Sequence, residues 1–342
     1  MKNWPAAVAA MTMLALPLSS GADASSSLAV TQQFKLAGNT GWDYLSYDAD
    51  GKRLFIARAD HVQVMDAGTG QQVGEIAGTD GVHGIALVPE LKKGFTSNGK
   101  ANSVTVFDLA SLKLIREIPL QGKKPDAIIY DSGSKHVLAF NGGSNSISVI
   151  DPAGESVMAT LPVPGRPEFA AADGHGRVYF NLEDKGQVAV LDTLANKLLS
   201  TWSLGDCEEP SGLALDAAHH RVFSTCQNHK LAILDTGSGK LVAEVPIGDE
   251  PDAAAFDPAT GLVYSANGEG TLTVIKEDDA DHFRVIANVP TRKGARTMAL
   301  DAAGKRIFLA TADFGPPPAA TADHPHPRPS VVPGSFTILL VR

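Results

Sequence analysis

Residues 125–165 read PDAIIYDSGSKHVLAFNGGSNSISVIDPAGESVMATLPVPG. Four short apolar runs, Ala127 to Tyr130, Val137 to Phe140, Ile147 to Ile150 and Val157 to Val163, alternate there with clusters of Asp, Gly, Ser, Asn and Pro. Apolar residues at every second position mark strands, and the polar clusters mark turns. The stretch therefore predicts a four-stranded antiparallel meander. Such a unit cannot bury both of its faces alone, so a stable protein needs further copies stacked against it.

The copies are present. An Asp ends the first strand at Asp48, Asp131, Asp173, Asp216, Asp257 and Asp301, with Pro89 in the second copy. Another ends the third strand at Asp66, Asp108, Asp151, Asp192 and Asp235, with Lys276 in the sixth; these positions are 41 to 43 residues apart. An Asp side chain can bond the backbone two residues on, so these residues read as turn formers. Copies begin near Trp42, Gly84, Asp126, Glu168, Ser211, Asp252 and Arg296. The period predicts an all-β fold, a seven-bladed β-propeller of four-stranded antiparallel blades, as one domain over residues 25–342. The last copy lacks a fourth strand after Phe336 to Leu340, and Leu28 to Leu36 precedes the first. The expectation is that this N-terminal strand closes the last blade and removes an open edge.

Residues 1–24 read as a signal peptide: a basic start at Lys2, an apolar core from Ala6 to Leu18, and Ala22-Asp23-Ala24 as a small-x-small cleavage site. Nothing later is apolar for long enough to span a membrane, which predicts a soluble, exported, monomeric protein. A net charge of -9 and a pI near 5.5 disfavour a general nucleic-acid binder, which needs a basic groove, and leave room only for a local basic patch. In an oxidising compartment the two cysteines, Cys207 and Cys226, read first as a disulfide, with a buried thiol pair as the alternative.

Several second strands end in a four-residue phrase: Phe95-Thr96-Ser97-Asn98, Leu138-Ala139-Phe140-Asn141 and Tyr264-Ser265-Ala266-Asn267. These resemble the Tyr-Val-Thr-Asn repeat of the YVTN-repeat β-propeller family. Gly81 to Ala86, Glu209 to Ala214 and Gly294 to Leu300 resemble its secreted bacterial YncE-like branch. The resemblance covers nearly all of residues 25–342. It implies a propeller in the periplasm or outside the cell that binds or scaffolds, and it names no activity. The chain departs from the Asn phrase at Arg58, Leu182, Cys226 and Thr311.

Aligning the copies puts Asp43, Gly84, Asp126, Glu168, Ser211, Asp252 and Arg296 at one equivalent position by the mouth of the central channel, with His83 just before Gly84. Acids converging on one axis raise one another's pKa unless a cation offsets them. The candidate ligand-binding residues are Asp43, His83, Asp126, Glu168, Asp252, Arg296 and Arg58; a water-filled polar channel is the plainer reading. Asp126, Glu168 and Asp252 offer hard oxygen ligands suited to calcium or magnesium, and His83 would bring zinc or manganese within reach. No cofactor is certain, and a divalent cation is compatible with this donor set.

A Pro-rich insertion, residues 312–334, leaves the same face and is long enough to form a lid. Its His324-Pro325-His326 and the turn pair His219-His220 read most simply as solvated, and Trp42 as packing. No Gly-x-Ser-x-Gly, phosphate loop, Cys-x-x-Cys, haem-attachment motif or His-Glu-x-x-His occurs. An electron-transfer or quinone-dehydrogenase role is a third reading, disfavoured because no haem-attachment motif or quinone-precursor arrangement occurs, and two functions stand ahead of it. One is a binding or scaffold module that takes a protein or small polar ligand at the channel mouth. The other is a metal-assisted, lactonase-like hydrolase with its site on the channel axis.

Overall fold

A computed structural model describes residue 1, residues 28–318 and residues 329–342. The signal-peptide reading of residues 1–24 and the His324-Pro325-His326 segment fall outside the described residues. The remainder is an all-β propeller of strands joined by short turns. Turn aspartates act as the repeat predicts: Gly133 N–H donates to Asp131 Oδ1 at 3.0 Å, Ala259 N–H to Asp257 Oδ1 at 3.0 Å and Ala153 N–H to Asp151 Oδ1 at 2.9 Å.

Seven separate four-stranded blades do not form. Among the described residues the strands make six sheets, five of four strands and one of six. In the six-stranded sheet the order is Leu45–Asp48, Arg53–Asp66, Gln72–Val88, Lys93–Asn98, Ser103–Asp108 and Leu114–Pro119, so the first two copies share one sheet. Two local features explain the merger. Only Ala59 and Asp60 separate the second and third strand segments of the first copy, and Ala59 pairs directly with Val82. The link to the second copy, residues 77–81, contains no proline, whereas later links carry Pro119, Pro125, Pro164, Pro167, Pro246 and Pro251. Proline removes a ladder donor, so its absence lets backbone pairing run from one copy into the next. A seventh blade closed by the N-terminal strand is therefore not the arrangement. Val30–Lys35 is the edge strand of the last of six sheets, paired with Thr337–Val341.

The core lies between neighbouring sheets. Leu138, Phe140, Ile147 and Val149 of one sheet pack on Val178, Phe180, Ala189 and Leu191 of the next, with the Phe140 and Phe180 rings 5.4 Å apart. Near the axis the backbones approach so closely that a Cβ at Gly212 would lie 2.6 Å from Ala254 N. Gly212→Ala is therefore expected to lower the melting temperature, because that neighbour is backbone and cannot swing aside. A thermal melt checks it.

The Asn that ends three of the four-residue phrases is structural in this chain. Asn98, Asn141 and Asn267 are fully buried, and each Nδ2 donates to two hydroxyls on the following strand: Ser103 and Thr105, Ser146 and Ser148, Thr271 and Thr273. Each Asn thus ties a hairpin together. Cys207 and Cys226 form a disulfide with Cα atoms 5.3 Å apart. Among the described residues no helix is long and apolar enough to cross a membrane.

Candidate functional site at the channel mouth

First strands such as Pro125–Asp131, Pro167–Ala172 and Pro251–Asp257 begin at one end of the channel, so residues at equivalent starting positions face a common space. That space is a cavity of about 880 Å³ lined by Asp43, His83, Asp126, Glu168, Ser211, Asp252 and Arg296, among others. Phe314, Pro329 and Val331 from the insertion also line it, and Phe314 forms a β-bridge with Val331. Trp42 packs against both Phe314 and Phe336, with ring centroids 6.0 and 5.3 Å away. The ends of the insertion are thus anchored at the rim.

Three side chains converge most tightly. His83 Nδ1 lies 2.5 Å from Asp43 Oδ2 and 3.7 Å from Asp126 Oδ1. One donor atom from each of Asp43, His83 and Asp126 can be chosen so that all lie within 4.8 Å of one another. The trio Asp126, Glu168 and Asp252 shares the cavity with other partners close by: Glu168 Oε1 accepts from the Tyr44 hydroxyl at 2.9 Å, and Arg296 Nε lies 3.2 Å from Asp252 Oδ2.

Burial pushes the Asp43 and Asp126 carboxyls up and Glu168 well above its usual range. Neighbouring acids add to this: Asp126 acts on Asp43 and on Glu168, and Asp252 acts on Asp126. For His83, burial disfavours the cation, but the hydrogen bond to Asp43 and the charges of Asp126 and Asp43 outweigh it and raise the imidazole to about 9. The site is therefore short of positive charge, and His83 supplies some of it as imidazolium.

A pH dependence follows. A base whose folded pKa rises from 6.5 to about 9 contributes stability that is complete below pH 6.5 and lost as pH climbs through about 9. The raised carboxyls act in the same direction. The melting temperature is expected to fall between pH 7 and 10, and His83→Gln to flatten that fall. Equal slopes in the two proteins would contradict this electrostatic picture.

Arg58 does not line the cavity. It is fully buried beneath the mouth, with its guanidinium carbon 3.7 Å from the Phe336 ring centroid and its donors on the carbonyls of Ala37, Thr40 and Gly41 and on Gln63 Oε1. Conversely, sequence reasoning misses Tyr44, Lys124, Arg166, Glu183, Glu209, Gln227, Glu250 and Lys293, all of which line the mouth. A signal for half of them exists. Lys124, Arg166, Glu209 and Glu250 each stand two residues before the aligned channel position, which makes a second charged ring. Lys124, Glu209 and Glu250 adopt left-handed backbone, with φ of 48°, 43° and 53°. For a non-glycine residue that conformation costs about 1 kcal/mol, and it also occurs at ordinary turns of this chain such as Lys52, Lys135 and Lys305.

Comparison with known proteins adds to the geometry. No family model matches the chain. It is 27% identical over 144 residues to the uncharacterized protein YncE of Salmonella typhimurium strain LT2, and 26% identical over 144 residues to YncE of Salmonella typhi. Each match takes in 41% of this chain and 40% of the relative, so the similarity spans about two fifths of the curated relatives' length. Among solved structures, a chain of Kuenenia stuttgartiensis hydrazine synthase superposes with a TM-score of 0.70 at 20% identity, over 80% of this chain and 94% of that one. The WD40 repeats of RRP9 superpose with a TM-score of 0.76 at 12% identity, over 93% and 98%. At such identities the structural likeness establishes the fold alone. Together with the YncE similarity it supports a YncE-like β-propeller.

Proposed function

We propose that this protein is an exported binding module that holds a small, positively charged polar ligand at the channel mouth. The carrying observation is the cavity of about 880 Å³ in which Asp43, Asp126, Glu168 and Asp252 converge and three of these carboxyls are pushed upward. A cation entering the cavity would relieve both effects, because it offsets the mutual repulsion and rewards the ionised forms. The formed disulfide is at home in an oxidising compartment and supports export. The insertion, 312–334, acts in this reading as a lid whose ends close over the ligand beside Trp42.

The Asp43–His83–Asp126 cluster favours a second reading. Two carboxylates and an imidazole suit a zinc or manganese ion, and such an ion could polarise an ester and activate water for hydrolysis. One experiment separates the two readings. EDTA-treated protein is melted with calcium, manganese, zinc or 1,4-diaminobutane. A probe at a hundredfold excess over its Kd should stabilise by about 2.7 kcal/mol, and Asp126→Asn should remove the gain. Stabilisation by the diamine supports the binding module, and stabilisation by zinc or manganese with lactone turnover supports the hydrolase. If no probe stabilises the protein, or Asp126→Asn leaves the gain intact, both readings fail.

A further inference from the structure

The turn at the far end of the first strand repeats around the propeller, and one copy breaks its rule. Asp48 and Asp301 are each met by an arginine five residues on: Arg53 Nη2 donates to Asp48 Oδ2 at 2.7 Å, and Arg306 Nε to Asp301 Oδ2 at 2.8 Å. The same arginines reach across to the neighbouring copy, with Arg53 Nη1 on Leu109 O and Arg306 Nη1 on Ala67 O, both at 2.8 Å. Asp131 is met instead from the neighbouring copy, where Thr193 Oγ1 donates to its Oδ2 at 2.5 Å. In each of these copies the turn carboxylate has a donor.

Asp216 stands at the same position, and Arg221 five residues on matches Arg53 and Arg306. Arg221 turns away, however, and donates to Asp235 Oδ2 at 2.5 Å, Asp281 Oδ1 at 3.1 Å and Ala280 O at 2.6 Å. The neighbouring-copy position held elsewhere by Ala67, Leu109 and Thr193 is here Glu277. A second carboxylate therefore replaces the donor. Asp216 and Glu277 are each 3% exposed. Asp216 Oδ1 is engaged by the N–H groups of Ala218 and His219, but both Glu277 oxygens are buried without a hydrogen bond, and Asp216 Oδ2 has only the His219 ring nitrogen beside it. Lys276 does not help, since its Nζ donates to Thr260 O at 2.8 Å. The half-exposed His219 stands over the pair, with Nδ1 2.7 Å from Asp216 Oδ2 and 3.4 Å from Glu277 Oε1.

We infer that Asp216, His219 and Glu277 form a divalent metal site, separate from the channel mouth, that takes zinc or manganese. One donor atom from each residue can be chosen so that all lie within 4.8 Å of one another. Ligands about 2.0–2.2 Å from one ion lie within about 4.3 Å of each other, so small movements close the set. Two carboxylates and an imidazole suit a borderline ion better than a soft one, and the exposed side of His219 leaves a position for water. Buried oxygens without donors are costly, and an ion would satisfy those of Glu277 while offsetting the like charges.

The test uses the full chain carrying His83→Ala, which removes the histidine of the channel-mouth cluster. EDTA-treated protein is titrated with zinc, with manganese and with calcium, read by native mass spectrometry and thermal melting. The expected result is one ion per chain and a higher melting temperature. Glu277→Gln and His219→Ala should each weaken binding about tenfold or more, since each removes a ligand. His219 is on the surface, so His219→Ala keeps the test decisive should Glu277→Gln fold poorly. Absence of zinc and manganese binding, binding unchanged in His219→Ala, or a preference for calcium would each overturn the assignment.

Discussion

Arg58→Ala is expected to destabilise the protein by about 3–5 kcal/mol, more than the loss of a surface charge could cause. The side chain is fully buried, yet its guanidinium remains a cation at neutral pH, because burial lowers its pKa only to about 10. Removing it leaves the carbonyls of Thr40 and Gly41 and the Gln63 amide oxygen without this donor, while Ala37 O keeps only Gln63 Nε2 at 3.2 Å, and it opens a void against Phe336. Those carbonyls belong to the segment leading into Asp43 and Tyr44. The same substitution should therefore weaken cation binding at the mouth without touching a ligand. Arg58→Lys keeps the charge but cannot serve several carbonyls with a planar fork, so it should recover only part of the loss. Chemical denaturation measures the first effect, and the zinc and diamine titrations measure the second. A loss below about 1 kcal/mol for Arg58→Ala would mean that the segment is held by other contacts.

Arg58 also shows which parts of the structure were legible in the sequence. In the sequence it reads both as a departure from the Asn phrase and as a candidate ligand-binding residue. In the structure, Asn98, Asn141 and Asn267 each hold a hairpin, and Arg58, at the equivalent position, likewise holds backbone. A repeat position therefore conveys the kind of task, here the tying of chain to chain, even where the residue changes. The ring of Asp43, Asp126, Glu168, Asp252 and Arg296 in one cavity was legible for the same reason, since equal position in each copy means equal place around the axis.

The sheet count was not legible from the period. Counting copies gives seven, whereas hydrogen bonding joins two of them through Ala59 and Val82. That junction depends on a two-residue turn and a proline-free link, details the period averages away. Tyr44 was hidden for a related reason: it follows the channel position, where the other copies carry Ile85, Ala127, Phe169, Gly212, Ala253 and Thr297. Only in three dimensions does its hydroxyl meet Glu168. Glu277 marks the opposite case. It follows Lys276, itself the exception in the third-strand Asp series, and one broken rule in the sequence points to another in the structure.

Replacing both cysteines by alanine is expected to cost about 3 kcal/mol, from the added freedom of the unfolded chain when a loop of this length is no longer closed. The bridge spans 19 residues and joins the loop before Leu213–Asp216 to the end of Arg221–Cys226. Alanine is the informative substitute, because Cys207 and Cys226 sit among Val188, Leu204, Leu213 and Val222, where a serine hydroxyl would add a buried polar group. The loop pinned by Cys207 carries Glu209 and Ser211 to the mouth, and Gln227 follows Cys226 into the same cavity. The double variant should therefore bind a mouth cation more weakly than its stability loss alone explains, because these residues are no longer held in place before binding. Both sulfurs are shielded, at 6% and 0% residue exposure, so a reductant should act on the native protein only as fast as this region opens. Thermal melts after brief and prolonged treatment with dithiothreitol distinguish the cases. A melting temperature unchanged after brief exposure, and lowered to that of the double-alanine variant after long exposure, is the expected result. Immediate loss would show that the bridge is accessible and the loop already mobile.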